Sequence, residues 1–320
     1  MGPKCTEEEF INLWTKLGPE GTAANLGMQV RNVYARRRRI ERRLGINLMA
    51  PRDGVMPVEP TDRVRRKIEL KEGVVIVGSD AHYWPDEVST AHLAFVELCK
   101  KLNPAHVILN GDMFDGARIS RHPPLGWEHM PTVAEEFEVV QTRLMEIRNA
   151  SPDARHWWTL GNHDARFEAR LASAAPEFEG IAGTHLRDHF PDFTTAMSIW
   201  INDEVVVKHN WKGGDHAAFN NAKSSGKTIV TGHTHRQLVR PFNDYNGVRY
   251  GIECGTLCEP YARQFDYSND NPRDHTSGFC VLTFKDSRLL YPELVRVVKS
   301  GVYEFRGDWH DVENPSTTQN

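Results

Sequence analysis

No apolar run in the 320-residue chain is longer than about five residues, whereas a membrane-crossing helix needs roughly 20. A bilayer-spanning segment is therefore not expected. Cysteine is scarce as well. Five cysteines, an odd number in a chain of this length, do not compose a disulfide framework. Cys254 and Cys258 form a lone C-x3-C without the second pair that would complete a zinc site, so all five read as reduced thiols in a cytoplasmic compartment. The stretch Met1 to Phe10 carries three consecutive glutamates and no apolar core, which is not the make-up of a secretory signal. No internal repeat or low-complexity tract appears. At 39% hydrophobic and 26% charged residues the composition is that of a globular protein, long enough for one large domain with or without a small one.

The net charge of −4 hides an asymmetry: residues 1–70 carry +5 and the remainder −9. The positive charge concentrates in Arg31 and in Arg36, Arg37, Arg38, Arg39, Arg42 and Arg43, opposed only by Glu41. A basic block beside an acidic domain points to nucleic acid or another anionic surface. Apolar Phe10, Ile11, Leu13, Trp14 and Leu17 predict a helix over 7–17 with Thr6 as N-cap and Glu9 three residues on. Gly18-Pro19 ends it; a second short helix is expected over 20–26 and a third over 29–44. Ala23, Gly27 and Val33 stand where a helix-turn-helix needs a small residue, a turn glycine and a buried β-branched residue. The segment 6–45 resembles the bacterial and phage helix-turn-helix module, with the third helix offering Gln29, Arg31, Asn32 and the arginine run to DNA or RNA. Pro51, Pro57 and Pro60 then predict a linker over 49–72.

From Val74 the pattern changes to short apolar runs alternating with longer helical periodicity, the mark of an α/β layer structure. Strands are expected at 74–77, 106–109, 157–160, 205–207 and 228–230, with helices over 86–102 and 132–149 and a further strand over 279–284. Each of the first five strands ends in a burst of polar residues: Asp80 and His82; Asp112; Asn162, His163 and Asp164; His209; His233 and His235. Parallel sheets present chemistry at such carboxyl ends. Residues two apart at a turning strand end can both point into one concavity. Carboxylate, imidazole and amide donors together suit Mn, Fe, Zn or Co better than Mg, and seven donors exceed what one tetrahedral ion takes. Two divalent cations sharing a carboxylate can clamp a phosphoryl group and activate water.

Taken in order, Asp80-x-His82, Gly111-Asp112, Gly161-Asn162-His163-Asp164, the strand-end His209 and Gly232-His233-x-His235 resemble the five motifs of the calcineurin-like metallophosphoesterase superfamily, over roughly 74–258. The resemblance implies an α/β fold, a metallophosphoesterase-type β-sandwich flanked by helices over 73–310. It would be preceded by the all-α basic module (1–48) and followed by a polar tail (311–320). It further implies that Asp80, His82 and His235 hold one metal, that Asn162, His209 and His233 hold the other, and that Asp112 bridges them. His216 is the rival to His209. Manganese is the first cation implied, with iron, zinc, cobalt or nickel as alternatives. In the same resemblance His163 is the general acid or charge stabiliser, and Asp164 orients it or tunes its pKa.

The loop 113–131 leaves directly beside Asp112 and holds Asp115, Arg118, Arg121, His122, Trp127 and His129. Loops longer than about 12–15 residues are often functional; Arg118 and Arg121 are expected to grip phosphate and Trp127 to stack a base. Gly111-Asp112-x-x-Asp115 is also close to a protein-phosphatase pattern, but Gly116 stands where that pattern has arginine. The leading expectation is a metal-dependent phosphodiesterase cutting DNA or RNA, DNA favoured, in a bacterial cytoplasm, with a phage or prophage origin left open. A phosphomonoesterase acting on nucleotides or phosphoproteins and a non-enzymatic DNA-binding regulator are the alternatives.

Overall fold

A computed structural model describes residues 5–44, 48, 64–122, 129–268 and 273–312. The chain divides into two compact units, Met1–Pro60 and Thr61–Asn320. No described helix is long and apolar enough to cross a membrane.

In the first unit, α1 (Glu7–Leu26) is broken by Gly18, whose φ of 67° departs from helical geometry just before Pro19. A capping box joins Thr6 and Glu9 at its start, and Gly27 closes its end in the left-handed conformation. After the turn comes α2 (Val30–Leu44). Phe10, Trp14, Ala23, Val33, Ile40 and Leu48 form the small core of this unit, and Trp14 Nε1 donates to the Leu48 carbonyl at 3.1 Å.

The second unit begins with β1 (Arg65–Ile68) and β2 (Gly73–Gly78), then α3 (Thr90–Leu102), β3 (His106–Leu109), α4 (Val133–Ala150) and β4 (Arg155–Thr159). Two short helices, α5 (Ala165–Ala174) and α6 (Leu186–His189), lead to β5 (Thr194–Ala196), β6 (Ser198–Ile201) and β7 (Val205–Val207). Then follow α7 (Ala217–Ser225), β8 (Thr228–Thr231), and the hairpin of β9 (Gln237–Asp244) and β10 (Gly247–Cys254). The chain continues through β11 (Gly278–Lys285), β12 (Arg288–Leu289), β13 (Glu293–Lys299), β14 (Val302–Phe305) and β15 (Asp308–Asp311). Among the described residues these strands make two sheets. One runs β1-β6-β7-β8-β10-β9; the other runs β15-β14-β13-β11-β2-β3-β4-β5, with β12 on β11.

Period-two alternation assigns each side chain to a layer. Val75 and Val77 of β2, Ile108 of β3 and Trp157 of β4 enter the core between the sheets with Val205, Val207, Val230 and Ile252. Their neighbours Ile76, Val107, Leu109 and Trp158 face the opposite way, onto Phe95 and Leu98 of α3 and Val140 and Leu144 of α4. On the outer side of the other sheet Val206 and Ile229 meet Ala222 of α7. The expected α/β sandwich flanked by helices is therefore what forms. Strands β2, β3, β4 and β5 are mutually parallel, so their carboxyl ends fall along one edge.

Two boundaries differ from expectation. Residues 65–68, assigned to the linker, form a strand paired in parallel with β6. Its Arg65 lies over the Trp200 ring at 4.0 Å, so cation–π packing takes the place of an apolar contact. The strand Asp308–Asp311 also extends past the expected domain end at 310, and Val312 is buried.

Candidate metal centre

The strand ends converge. Asp80 follows β2, and its backbone N–H donates to the Gly111 carbonyl at 2.9 Å. Its carboxylate accepts the His233 N–H at 3.0 and 2.9 Å and stands 3.2 Å from His235 Nε2. Asp112, after β3, accepts the His163 N–H at 2.8 Å through Oδ1 and places Oδ2 3.0 Å from His209 Nε2. The ligand atoms of Asp80, His82 and His235 lie within 4.8 Å of one another; so do those of Asp112, His209 and His233, and those of His82, Asp112 and His163. Asp112 is thus shared between the two sides of the cluster.

The backbone is bent to achieve this. Asp80, His82, Asp112, His233 and His235 all have positive φ, between 41° and 68°. The left-handed region costs an L-residue about 1–2 kcal/mol, and such strain collects where function demands a particular side-chain direction. Gly161 serves the same end, because a Cβ there would overlap Asp112 Oδ1.

Donor chemistry fits a divalent cation. His209 Nδ1 donates to the Asn110 carbonyl at 2.7 Å, which sets the ring orientation and aims Nε2 at Asp80 and Asp112. His82 Nδ1 is held by Asp115 Oδ1 at 2.8 Å, again leaving Nε2 for a ligand. Both Nε2 atoms are buried and have no hydrogen-bond partner among the described residues; the His209–Asp112 approach is out of line for one. Burial disfavours ionised Asp80, but His235 and His209 outweigh it and hold its pKa well below the ordinary carboxylate range. The reciprocal field of Asp80 and Asp112 overcomes the burial of His209 and raises its pKa to about 10. A pocket that attracts a proton this strongly also attracts a metal cation.

His163 sits differently. Its Nδ1 lies 3.0 Å from Asp115 Oδ1 and 2.9 Å from the Asp115 carbonyl, and its Nε2 accepts from Arg166 Nη2 at 3.1 Å. Both ring nitrogens are engaged, unlike those of His82 and His209. Burial disfavours its charged form; Asp115 and Asp112 outweigh that, against the pull of Arg166, and leave its pKa above the ordinary histidine value.

The residue expected to orient His163 does not do so. Asp164 is buried, and its carboxylate accepts five hydrogen bonds: from the backbone N–H of Asp112, Met113, Phe114 and Gly161 and from the Trp158 indole, at 2.8–3.2 Å. It clamps the loop bearing Asp112 to the turn bearing Asn162 and His163. The orienting carboxylate is Asp115, buried between the two imidazoles; its place three residues after Asp112 was the available signal. Asn162 is exposed in that same turn, and its amide makes no hydrogen bond among the described residues.

The arginines expected to grip phosphate make no contact with the cluster residues among the described residues. Arg118 is exposed and donates to the Met130 carbonyl at 2.8 Å; Arg121 is exposed; Trp127 falls outside the described residues. In the first unit, Arg36 turns inward onto the Cys5 and Thr6 carbonyls and over Phe10. Arg37 pairs with Glu41 at 2.8 Å and lies over Trp14. These two serve packing, because the apolar face of α2 leaves their stems against the core. Arg31, Arg38, Arg39 and Arg42 are exposed, and Ala35, Arg38, Arg39, Arg42 and Arg43 line a groove. Cys254 and Cys280 are buried free thiols of the sandwich core.

Comparison with known proteins agrees with this geometry. Residues 74–237 match the model of the calcineurin-like phosphoesterase family. The chain belongs to that family. Among relatives, the Gene 54 protein of Mycobacterium phage D29 is 27% identical over 222 residues, covering 61% of this chain and 82% of that protein. The Gene 54 protein of Mycobacterium phage L5 is 26% identical over 227 residues, with the same coverage. Among solved structures, zinc-complexed Vps29 from Entamoeba histolytica is 16% identical, with a TM-score of 0.39 over 74% of this chain and 98% of that one. Membership makes this chain a metal-dependent phosphoester hydrolase by family, with candidate ligands at the motif positions.

Proposed function

We propose that this calcineurin-like phosphoesterase is a dimetal phosphodiesterase acting on nucleic acid, DNA first. The observation that carries the reading is the placement of Asp112. Its carboxylate groups with His209 and His233 on one side and with His82 and His163 on the other, a position from which it would be shared by two cations. Asp80, His82 and His235 would hold one cation, and Asn162, His209 and His233 the second. The mixed oxygen and nitrogen donor set favours manganese, ahead of iron, zinc, cobalt or nickel. When bound, such a pair supplies Lewis acidity to a phosphoryl group and draws the pKa of a water toward about 7.

The chain's own residues supply orientation. Asp115 fixes His82 and His163 together, so the ligand side and the leaving-group side move as one. His163 is the group that stabilises or protonates the leaving oxygen. The exposed arginine face of α2 supports a nucleic-acid substrate, since it has no acidic partner for Arg31, Arg38, Arg39 or Arg42 among the described residues. The phage origin of both relatives supports a phage or prophage protein working in a bacterial cytoplasm.

The test is a manganese-supplemented panel of single- and double-stranded DNA, RNA, a nitrophenyl diester and a nitrophenyl monoester. Diester and nucleic acid should turn over faster than monoester. Replacing Arg38, Arg39 and Arg42 by Gln should weaken DNA binding and reduce its log–log salt slope by about 2.7, three phosphates at about 0.9 each. Hydrolysis of the small diester should be unaltered. Turnover of the monoester alone, or equal losses on DNA and the small diester, refutes the corresponding half of the proposal.

A further inference from the structure

The guanidinium that reaches the cluster comes from an unexpected element. Arg166 is the second residue of α5, the helix that starts directly after the Asn162-His163-Asp164 turn. Its backbone N–H donates to the His163 carbonyl at 2.9 Å. The side chain, about one fifth exposed, sends Nη1 to the Asp115 carbonyl at 2.9 Å and Nη2 to His163 Nε2 at 3.1 Å. Because arginine only donates, His163 Nε2 must present its lone pair here, with the ring proton on Nδ1 toward Asp115.

The lane for this side chain is cut by Gly116. A Cβ at that position would stand 3.2 Å from Arg166 Cδ and 2.9 Å from the Phe114 ring, so any other residue would displace the arginine stem. Gly116 itself is tied down, its N–H donating to Glu136 Oε2 at 2.6 Å. At the point where a phosphatase-like arginine would follow Asp115, the chain instead has a gap, and Arg166 fills it from across the fold.

We propose that Arg166 is the residue that grips the phosphoryl group of the substrate. This rests on the phosphoesterase reading above. The guanidinium carries five N–H bonds, of which two are spent in the described contacts, so an edge of the fork remains for non-bridging oxygens. The edge-to-face packing of His163 on His82, with ring centroids 4.6 Å apart, sets the fork one ring away from the cradle of Asp80, His82 and His235. As phosphate arrives, Nη2 passes from His163 Nε2 to a phosphoryl oxygen, and Nε2 exchanges the arginine N–H for the O–H of a water. Arg166 thus binds the charge that grows on the equatorial oxygens and, while no phosphate is present, occupies the imidazole nitrogen that the reaction uses.

The experiment measures binding of inorganic phosphate to the full-length, manganese-loaded protein by calorimetry, beside kcat/KM on a nitrophenyl diester. It compares wild type, Arg166→Ala and Arg166→Lys, with bound metal quantified in each. Arg166→Ala should weaken phosphate binding by about 30-fold and lower kcat/KM by about 100-fold, the scale of a lost charge-assisted bidentate contact, with bound metal unchanged. Added guanidinium should restore part of the turnover of Arg166→Ala and none of that of Arg166→Lys, which tests the fork rather than the charge. Should Arg166→Ala fold poorly, Arg166→Lys carries the same comparison. Phosphate affinity and kcat/KM within twofold of wild type in both variants overturns the assignment. A wild type that hydrolyses no ester and binds no phosphate overturns the phosphoesterase reading itself, and this assignment with it.

Discussion

Replacing Asp164 by Asn separates two roles that the motif alone cannot. Asp164 Oδ2 accepts from the Asp112 and Gly161 N–H groups at 2.8 Å and from Trp158 Nε1 at 2.9 Å; Oδ1 accepts from Met113 and Phe114 at 3.1 and 3.2 Å. An asparagine can keep its oxygen on the first three donors, but its NH2 then faces the other two. Two buried donors left unsatisfied cost about 1–3 kcal/mol each, or about 2–6 in all. Against this stands relief of a buried charge: burial and the neighbouring Asp112 raise the Asp164 pKa to about 6, a shift worth about 3 kcal/mol. The net expectation is a loss of about 1 kcal/mol, between bounds of about 1 kcal/mol gained and about 3 kcal/mol lost. Asp164→Ala leaves all five donors unpaired, a cost of about 5–15 kcal/mol that equals the whole stability of a typical domain.

The assay is urea and thermal unfolding of chelator-treated protein, run beside metal affinity and turnover. A unit of this size should lose about 2–4 °C in Tm per kcal/mol. Metal affinity should fall with it, because the clamp that softens joins the loop of Asp112 to the turn of Asn162. If Asp164→Asn leaves the unfolding curve and metal affinity unchanged and lowers turnover alone, the carboxylate acts on His163 after all and the structural argument fails.

Further expectations follow from the neighbouring carboxylates. Asp115→Asn should lower metal affinity by about 10–100-fold through His82, as loss of a hydrogen bond to a ligand does, and should also disorder His163. Preserved binding, read by metal titration, would deny Asp115 its hold on both rings. Glu136 is fully buried, and burial together with Asp115 raises its pKa to about 8 from the ordinary 4.5, partly offset by the N–H groups of Gly116 and Ala117. Between those values the folded state holds a proton that the unfolded state has released, so stability falls as pH rises from about 4.5 to about 8, by a few kcal/mol at most. The Glu136→Gln variant should flatten that decline in a pH series of unfolding curves; parallel slopes would refute it. Asp112→Asn should abolish binding of both cations while His163→Ala keeps them and loses most turnover, and loss of metal from His163→Ala would make His163 a ligand.

How much of this could be read from the chain depends on the range of the interaction. The strand ends were legible because short apolar runs such as Val107, Ile108 and Leu109 stop abruptly at polar residues, and burial on both faces of β3 makes that contrast sharp. The strand Arg65–Ile68 was hidden because three successive basic residues carry no alternation, and its stabilisation comes from pairing with β6 and from Trp200, 135 residues beyond Arg65. Helix Ala165–Ala174 fully buries none of its residues and sets only Phe167 against the core, so its apolar stripe is too short to mark a helix in sequence, and with it the position of Arg166 went unseen. The inward turn of Arg36 and Arg37 was equally invisible, since an arginine run reads as uniform charge until the helix assigns each residue a face.

The aspartates show why ligand assignment needs the third dimension. Asp80, Asp112, Asp115 and Asp164 are all buried beside strand ends, and nothing local distinguishes them. What separates them is the partner each carboxylate faces. Asp164 is saturated by five N–H donors and has no oxygen left to give. Asp115 spends Oδ1 on the Nδ1 atoms of His82 and His163, so it orients ligands without being one. Asp80 and Asp112 face imidazole Nε2 atoms, 3.2 Å away at His235 and 3.0 Å away at His209, which share one space with the carboxylate oxygens. Oxygen and nitrogen donors that converge in this way are what a divalent cation takes, and that makes Asp80 and Asp112 the candidate metal-facing pair.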